Sequence, residues 1–589
     1  MIVRRLVSSW ALALSLGALA ACGDQGPPAA ASAASETALA NSVWPHDASD
    51  LAPDPAVIYG QLDNGMRYII MENDTPTETA ALRMRIDAGS LSESEDQRGL
   101  SHFLEHMAFN GSTNVPEGEM IKILERFGLA FGPDTNAFTS FDQIQYQLDL
   151  PSVDDELIET GLFLMRETAS NLTLDAEAID KERGIIASEE RLRNSFGLRR
   201  FVDLIGFLAP DTTLAKRLPI GDLEVIATAP PERFRDIYEA AYRPESTTLV
   251  AVGDFDAADM AGRIDAAFGD WQGVGAPGTP PVIGTVNPSR PLEAAFFHDP
   301  DVPTFVTINA VKPAEPKPDT LANRRASLLR TLGNGIVSRR FASLSRAPDA
   351  VFLNAGAGQA NYFDILEIAS IDVTTTPENW QAALAIGEQE LRRAIDHGFS
   401  EAELKEQIAN LRTGLKTAAE RAATRKSTGL ANSLANAINE NDVFTTPASS
   451  LERFESYADE ITPDMVHAAF KAQWADAGGP LIHLSNNTVI PDAEAQTLEA
   501  YAASAATPVA PLEDTGNAGF AYTDFGPPGT VVSDERIDDL NIRTLIFENK
   551  VRLNLKPTDF EDGVIRISVR IGGGQLEFPQ ELDGLSTFM

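Results

Sequence analysis

The last stretch of this chain repeats an earlier one. Residues 549–589 align without gaps on residues 64–104 at a constant offset (549 − 64 = 485), with 11 identities in 41 pairs. The shared positions include Asn64/Asn549, Arg67/Arg552, Ile86/Ile571, Gly89/Gly574 and Gly99-Leu100-Ser101 against Gly584-Leu585-Ser586. Self-similarity of this kind means that one supersecondary unit is built twice, so repeated domains are expected rather than one continuous core. The second copy reaches only Met589, inside the equivalent of a helix, so 536–589 reads as the truncated start of a repeat; the alternative is an appendage completing the sheet of the preceding domain. Length agrees with several domains, because 589 residues at roughly 150 per domain predict three to four.

Local patterns place the elements. Residues 57–61 and 66–71 flank Leu62-Asp63-Asn64-Gly65 and predict a β-hairpin, since Asn-Gly readily takes the positive φ of a tight turn. Further strands are expected at 81–88, 143–150 and 247–252, and helices at 100–109, 117–127, 155–169 and 176–193. Strand pairs mixed with helix runs predict an α+β fold. Gly/Pro-rich breaks at 273–291 and 504–533 divide the chain into a first domain at 51–272, a second α+β domain at 290–505 with helices at 320–332, 380–396 and 401–423, and a linker at 506–535.

The N-terminus carries an address. Arg4 and Arg5 precede an apolar run over 6–21, too short to span a bilayer permanently but suited to a secretory signal. It ends in Leu19-Ala20-Ala21-Cys22, which resembles the bacterial lipobox, so 1–22 is expected to be a lipoprotein signal peptide with Cys22 lipidated. Ala, Ser and Pro dominate 23–50, a flexible tether. The protein is therefore expected to be exported to the cell envelope or periplasm, membrane-anchored through Cys22. Cys22 is the only cysteine, which excludes a disulfide framework, a thiolate zinc site and a CxxC redox pair. A formal net charge of -39 disfavours nucleic acid and welcomes cations.

With thiolates excluded, a metal site must use His and carboxylate. Only 7 His exist, and two fall in His102-Phe103-Leu104-Glu105-His106. On a helix, positions i and i+4 project from one face, so His102 and His106 can grip one ion with Glu105 beside them. This H-x-x-E-H order is that of the inverzincins. A catalytic zinc usually takes three protein ligands, so a carboxylate must come from elsewhere. The segment 180–190 offers Glu182 and Glu189 on one helical face with Ile186, and residue spacing alone leaves the choice between them open.

The stretch from Gly99 to Ser112, Gly-Leu-Ser-His-Phe-Leu-Glu-His-Met-Ala-Phe-Asn-Gly-Ser, resembles the active-site helix of the insulinase/pitrilysin family of zinc metallopeptidases, which includes the mitochondrial processing peptidases. The resemblance implies repeated α+β domains with a largely antiparallel sheet packed by helices. It implies one Zn2+ held by His102, His106 and Glu189, with Glu182 supporting the site and Glu105 as general base. It implies peptide substrates bound along an edge strand at Thr135-Asn136-Ala137-Phe138-Thr139-Ser140, with Asn136, Ala137 and Phe138 as the contact positions. It also implies a two-half chamber, completed by a C-terminal half or another chain. Thr587 stands where the repeat would need His102, so the second copy is expected to be non-catalytic. The expected activity is zinc-dependent endopeptidase cleavage of peptides or unfolded proteins, and the alternative is a non-catalytic family member acting as a peptide-binding or scaffold subunit.

Overall fold

A computed structural model describes residues 43–279, 282–512, 524–560, 563–572 and 579. Cys22, the 1–22 signal, most of the 23–50 tether and Thr587 lie outside the described residues. The chain divides into two units, one drawn from 1–415 and 425–519, the other from 416–424 and 520–589. Among the described residues no helix is long and apolar enough to cross a membrane.

The first unit is built on two sheets. Strands β1 (Val57–Gln61), β2 (Arg67–Glu72), β3 (Ala80–Ile86), β4 (Thr135–Thr139), β5 (Ile144–Leu150) and β6 (Thr247–Gly253) form a sheet in the order β1-β2-β6-β3-β5-β4. Gly65, at φ +93°, turns the β1–β2 hairpin as Asn-Gly requires. Only β2–β6 is parallel. Strands β7 (Glu293–His298), β8 (Thr304–Pro313), β9 (Asn354–Tyr362), β10 (Leu366–Thr375) and β11 (Leu481–Asn486) follow in the order β7-β11-β8-β10-β9. Its single parallel pair is β7–β11, so the second sheet repeats β2-β6-β3-β5-β4 strand for strand. The protein is thus α+β with largely antiparallel, repeated sheets.

One face of the first sheet carries the main core. Leu82, Met84 and Ile86 of β3 pack with helices Leu100–Met107, Asp155–Ser170, Pro231–Ala241 and Ala257–Phe268. The other face is closed by a helix that lies between β10 and β11 in the chain: Leu430, Ala431, Leu434 and Ala435 of Ser427–Asn439 cover Ile69, Ala81, Val250 and Val252. The period-2 alternation of β3 puts Arg83 and Arg85 on that face, where they would be costly without partners. Arg83 donates to Asn432 Oδ1 at 2.6 Å and Arg85 to Asn439 Oδ1 at 2.7 Å. The exchange is reciprocal: helix Phe196–Leu208, from the first domain, lays Ile205 and Leu208 on Val311, Leu366, Ile368 and Leu481 of the second sheet.

In the first unit, packing moves three boundaries of the sequence reading. The end of the tether is packed, not free, because Trp44 is buried edge-on to Tyr59 beside the short turn Pro45–Ala48. The helix expected at 320–332 continues as Leu321–Leu344, since Gly333 gives Phe470 close approach (3.0 Å from an added Cβ) instead of ending the helix. The start of the linker is tied down: His397 Nε2 meets the Val509 carbonyl at 2.9 Å, and Arg392 donates to that of Thr507.

In the second unit, β12 (Val531–Ile537), β13 (Ile542–Phe547) and β14 (Arg552–Leu555) form an antiparallel sheet, so β12 takes up the end of the expected linker. The β13–β14 register matches the first hairpin at the sequence offset: Ile58 pairs Ile70 and Arg543 pairs Leu555, and Gln61 pairs Arg67 as Ile546 pairs Arg552. The repeat is therefore structural through this hairpin. Past it, residues 565–571, the counterparts of buried β3, form no ladder, and Ile565, Ile567, Val569 and Ile571 are exposed.

Candidate metal centre

The helix Leu100–Met107 is short, and its start is held by backbone packing. Gly99 adopts φ +96° and meets Gly221, itself at φ +77°, so closely that a Cβ on Gly221 would fall 2.2 Å from the Gly99 Cα. Only glycine fits both positions. No side chain at position 99 can cap the helix, and Glu93 does so from outside: its carboxylate accepts from the Gly99 N–H at 2.8 Å and the Ser101 N–H at 2.7 Å. Burial pushes the Glu93 carboxyl up to about 7, against these hydrogen bonds. Leu100, Phe103, Leu104 and Met107 anchor the opposite face in the core.

His102 is buried, His106 and Glu105 are partly exposed, and the two imidazole centroids lie 4.8 Å apart. The second element is helix Ala176–Arg193, capped by Asp175 and seated through Ala178, Ile179 and Ile186. One face of it carries both candidate carboxylates, about two turns apart, and they do different things. Glu189 Oε2 lies 3.6 Å from His102 Nε2 and 3.2 Å from His106 Nε2, while its Oε1 pairs with Arg193 at 2.5 Å. Glu182 sits behind, with Oε1 2.8 Å from His106 Nδ1 and Oε2 accepting from Asn110 Nδ2 at 3.0 Å. A bond between Glu182 and Nδ1 keeps a proton there, so the proton that His106 loses comes from Nε2, the nitrogen facing Glu189.

Electrostatics follow from this crowding. Burial, with repulsion from His106, lowers His102 to about 3, so it stays neutral. Burial opposes charge on His106 too, but the Glu182 and Glu189 carboxylates outweigh it and raise His106 to about 9. Glu189, despite burial, is lowered to about 2 by His106, His102 and Arg193. Burial raises the Glu105 carboxyl, partly offset by a hydrogen bond from Thr139.

His102, His106 and Glu189 bring one ligand atom each within 4.8 Å of one another. Glu189 Oε2 and His102 Nδ1 are buried without a hydrogen-bond partner. An orphaned carboxylate oxygen turned toward two imidazoles suits a divalent cation, and two nitrogens with one oxygen suit zinc. The residues present therefore fit the metal.

Asn136, Ala137 and Phe138 lie on β4, the outermost strand of the first sheet. Asn136 is exposed, and Ala137 packs partly against the core. Thr139, at the end of β4, donates to Glu105 Oε2 at 2.7 Å. Sequence reasoning assigned no role to Thr139, Asn110, Arg193 or Glu93. Thr139 and Asn110 stand inside the quoted motifs, whereas nothing local marks Arg193 or Glu93.

Fold and site together define an α+β protein of repeated sheets with an inverted His-x-x-Glu-His motif at a candidate metal centre. The chain belongs to the insulinase family, peptidase family M16: the family's insulinase domain matches residues 68–195 and its domain described as inactive matches 228–411. It is 37% identical over 208 residues to a probable zinc protease PqqL of Haemophilus influenzae, covering 35% of this chain and 22% of that protein. It is 35% identical over 217 residues to the Escherichia coli protein of that name, covering 37% and 23%. The matches thus span about a fifth of those relatives' lengths. Among solved structures, it resembles the periplasmic protease PqqL from Escherichia coli (TM-score 0.72, 25% identity, 86% of this chain and 56% of that one). It also resembles the first half of that protein, solved alone (TM-score 0.70, 24% identity, 79% and 99%).

Proposed function

We propose that this protein is a zinc-dependent endopeptidase acting on peptides or unfolded proteins in the cell envelope. The observation that carries the reading is the convergence of His102, His106 and Glu189 within 4.8 Å, with Glu105 beside them on the same helix. These three residues would hold one Zn2+, with Glu182 fixing the His106 ring. When bound, the ion supplies Lewis-acid polarisation of the scissile carbonyl and lowers the pKa of a water from about 15.7 toward about 7.

The chain's residues supply the rest. Glu105 accepts the proton of the attacking water at its carboxylate and returns it to the leaving amine. A peptide adding to β4 by main-chain hydrogen bonds presents successive carbonyls beside the site, with Asn136, Ala137 and Phe138 lining its path. Such binding tolerates many sequences. The similarity to the first half of the Escherichia coli protease PqqL supports a chamber completed by a second half. The apolar run before Cys22 supports export and a lipid anchor.

A non-catalytic scaffold is the second reading, and the intact ligand set with an adjoining base weighs against it, since a scaffold needs neither. Glu105→Gln tests the choice: it should keep stoichiometric zinc while peptide hydrolysis falls at least about a hundredfold. Hydrolysis equal to wild type at matched zinc content would remove Glu105 as the base.

A further inference from the structure

The base itself has a support that no part of the metal cluster provides. Thr139 Oγ1 donates to Glu105 Oε2 at 2.7 Å, and Thr139 is 3% exposed at the last position of β4. Thr139 thus holds the Glu105 carboxylate by a hydrogen bond, while His106 and Arg193 act on it through their charge. Glu105 is a long side chain with rotatable terminal torsions, so a hydrogen bond at one carboxylate oxygen decides where the other points. Thr139 is β-branched and sits on a strand paired with β5 at Ile144, so its hydroxyl position is set by backbone and rotamer together.

We propose that Thr139 is a positioning residue for peptide hydrolysis: its hydroxyl pins Oε2 of Glu105 and so leaves Oε1 as the oxygen turned to the water. This rests on the reading of Glu105 as general base. It also ties the base to the strand proposed to take substrate. Glu105 stands on helix Leu100–Met107 and Thr139 on β4, 34 residues apart, and the hydroxyl is the hydrogen bond joining the two side chains. A strand held straight by an added peptide holds the Thr139 hydroxyl at the base at the same moment. The bond is charge-assisted, the stronger kind, and it stabilises the ionised carboxylate that accepts a proton.

Thr139→Val removes the hydroxyl while preserving shape, and Thr139→Ser keeps the hydroxyl while removing the methyl. With an unstructured fluorogenic peptide, T139V should lower kcat about 10- to 100-fold, part of the whole contribution of a general base. KM and zinc stoichiometry should stay within about twofold, and T139S should return kcat to within about threefold of wild type. A packing role predicts the opposite order, with T139V benign and T139S damaging. Crystal structures of wild type and T139V give a readout independent of turnover: Glu105 should hold one rotamer in the first and several in the second. Equal kcat in T139V, or one unchanged Glu105 rotamer in both proteins, overturns the proposal. A wild-type protein that binds no zinc and cleaves nothing would refute the peptidase reading, and the rotamer comparison would still decide the role of Thr139.

Discussion

Gly221 lies far from the metal cluster in sequence, and replacing it should still damage zinc binding. In Gly221→Ala the new methyl would fall 2.2 Å from the Gly99 Cα, 2.6 Å from its nitrogen and 2.7 Å from the Arg98 carbonyl oxygen. All are backbone atoms, so no side chain can swing aside. Ordinary contact begins near 3.4 Å, so the two segments must part by about 1.2 Å (3.4 − 2.2). The left-handed conformation costs about 1–2 kcal/mol for alanine, and overpacking typically adds about 1–3 kcal/mol. The sum of about 2–5 kcal/mol is within what a stable domain survives. The displaced backbone begins the helix that carries His102 three residues later and releases the grip of Glu93. A shift of this size at the ligands should weaken zinc about 10- to 100-fold, as loss of outer support does in other sites. Gly128→Ala is the control: its φ of +86° carries the same conformational cost, but nothing lies within 4 Å of the added methyl. Competition with a chromophoric chelator, alongside thermal unfolding, measures both variants. Equal zinc affinity in G221A and G128A would refute the claim that this glycine contact sets the histidine helix.

Apparent zinc affinity should rise about tenfold per pH unit between pH 7 and about 9 and level off above, because His106, raised to about 9 by its carboxylates, must lose a proton to bind; calorimetry in buffers of differing ionisation enthalpy should show about one proton released at pH 7, and none would contradict it. Glu182→Ala leaves His106 Nδ1 unsupported and should cost about 10- to 100-fold in zinc affinity, read by the same chelator competition, whereas Glu190→Ala should change it less than about twofold. Leu434→Ala opens a cavity under the first sheet, where Leu434 is 1% exposed, and should destabilise by about 2–5 kcal/mol in denaturant melts. If the first and second domains were independent, that substitution would leave the first domain's unfolding unmoved.

The legible parts of the site were those whose geometry is local. Two histidines four residues apart share a helix face whatever the fold, and Glu105 comes with them. The hairpin at Asn64-Gly65 and its copy at β13–β14 were legible because turn chemistry sets register directly. The second sheet was barely legible: β9, with its run Asn354-Ala-Gly-Ala-Gly-Gln, has little strand propensity and is a strand because β10 pairs with it along nine residues. Arg83 and Arg85 read as ordinary charges on a strand, and nothing near them names Asn432 and Asn439, about 350 residues away.

Sequence by itself determined the histidine pair, the adjoining base and the repeated hairpin, since helix pitch and turn stereochemistry are properties of the backbone within a few residues. It also excluded thiolate ligands by composition. Only the tertiary structure decided which glutamate faces the imidazoles and which stands behind His106, because Glu182 and Glu189 share one helix face and differ only in what is packed against it. The same holds for Thr139 on the base, Glu93 beneath the helix start and Gly221 against Gly99: each is a contact between segments distant in the chain or on separate elements, set by packing that no local pattern encodes.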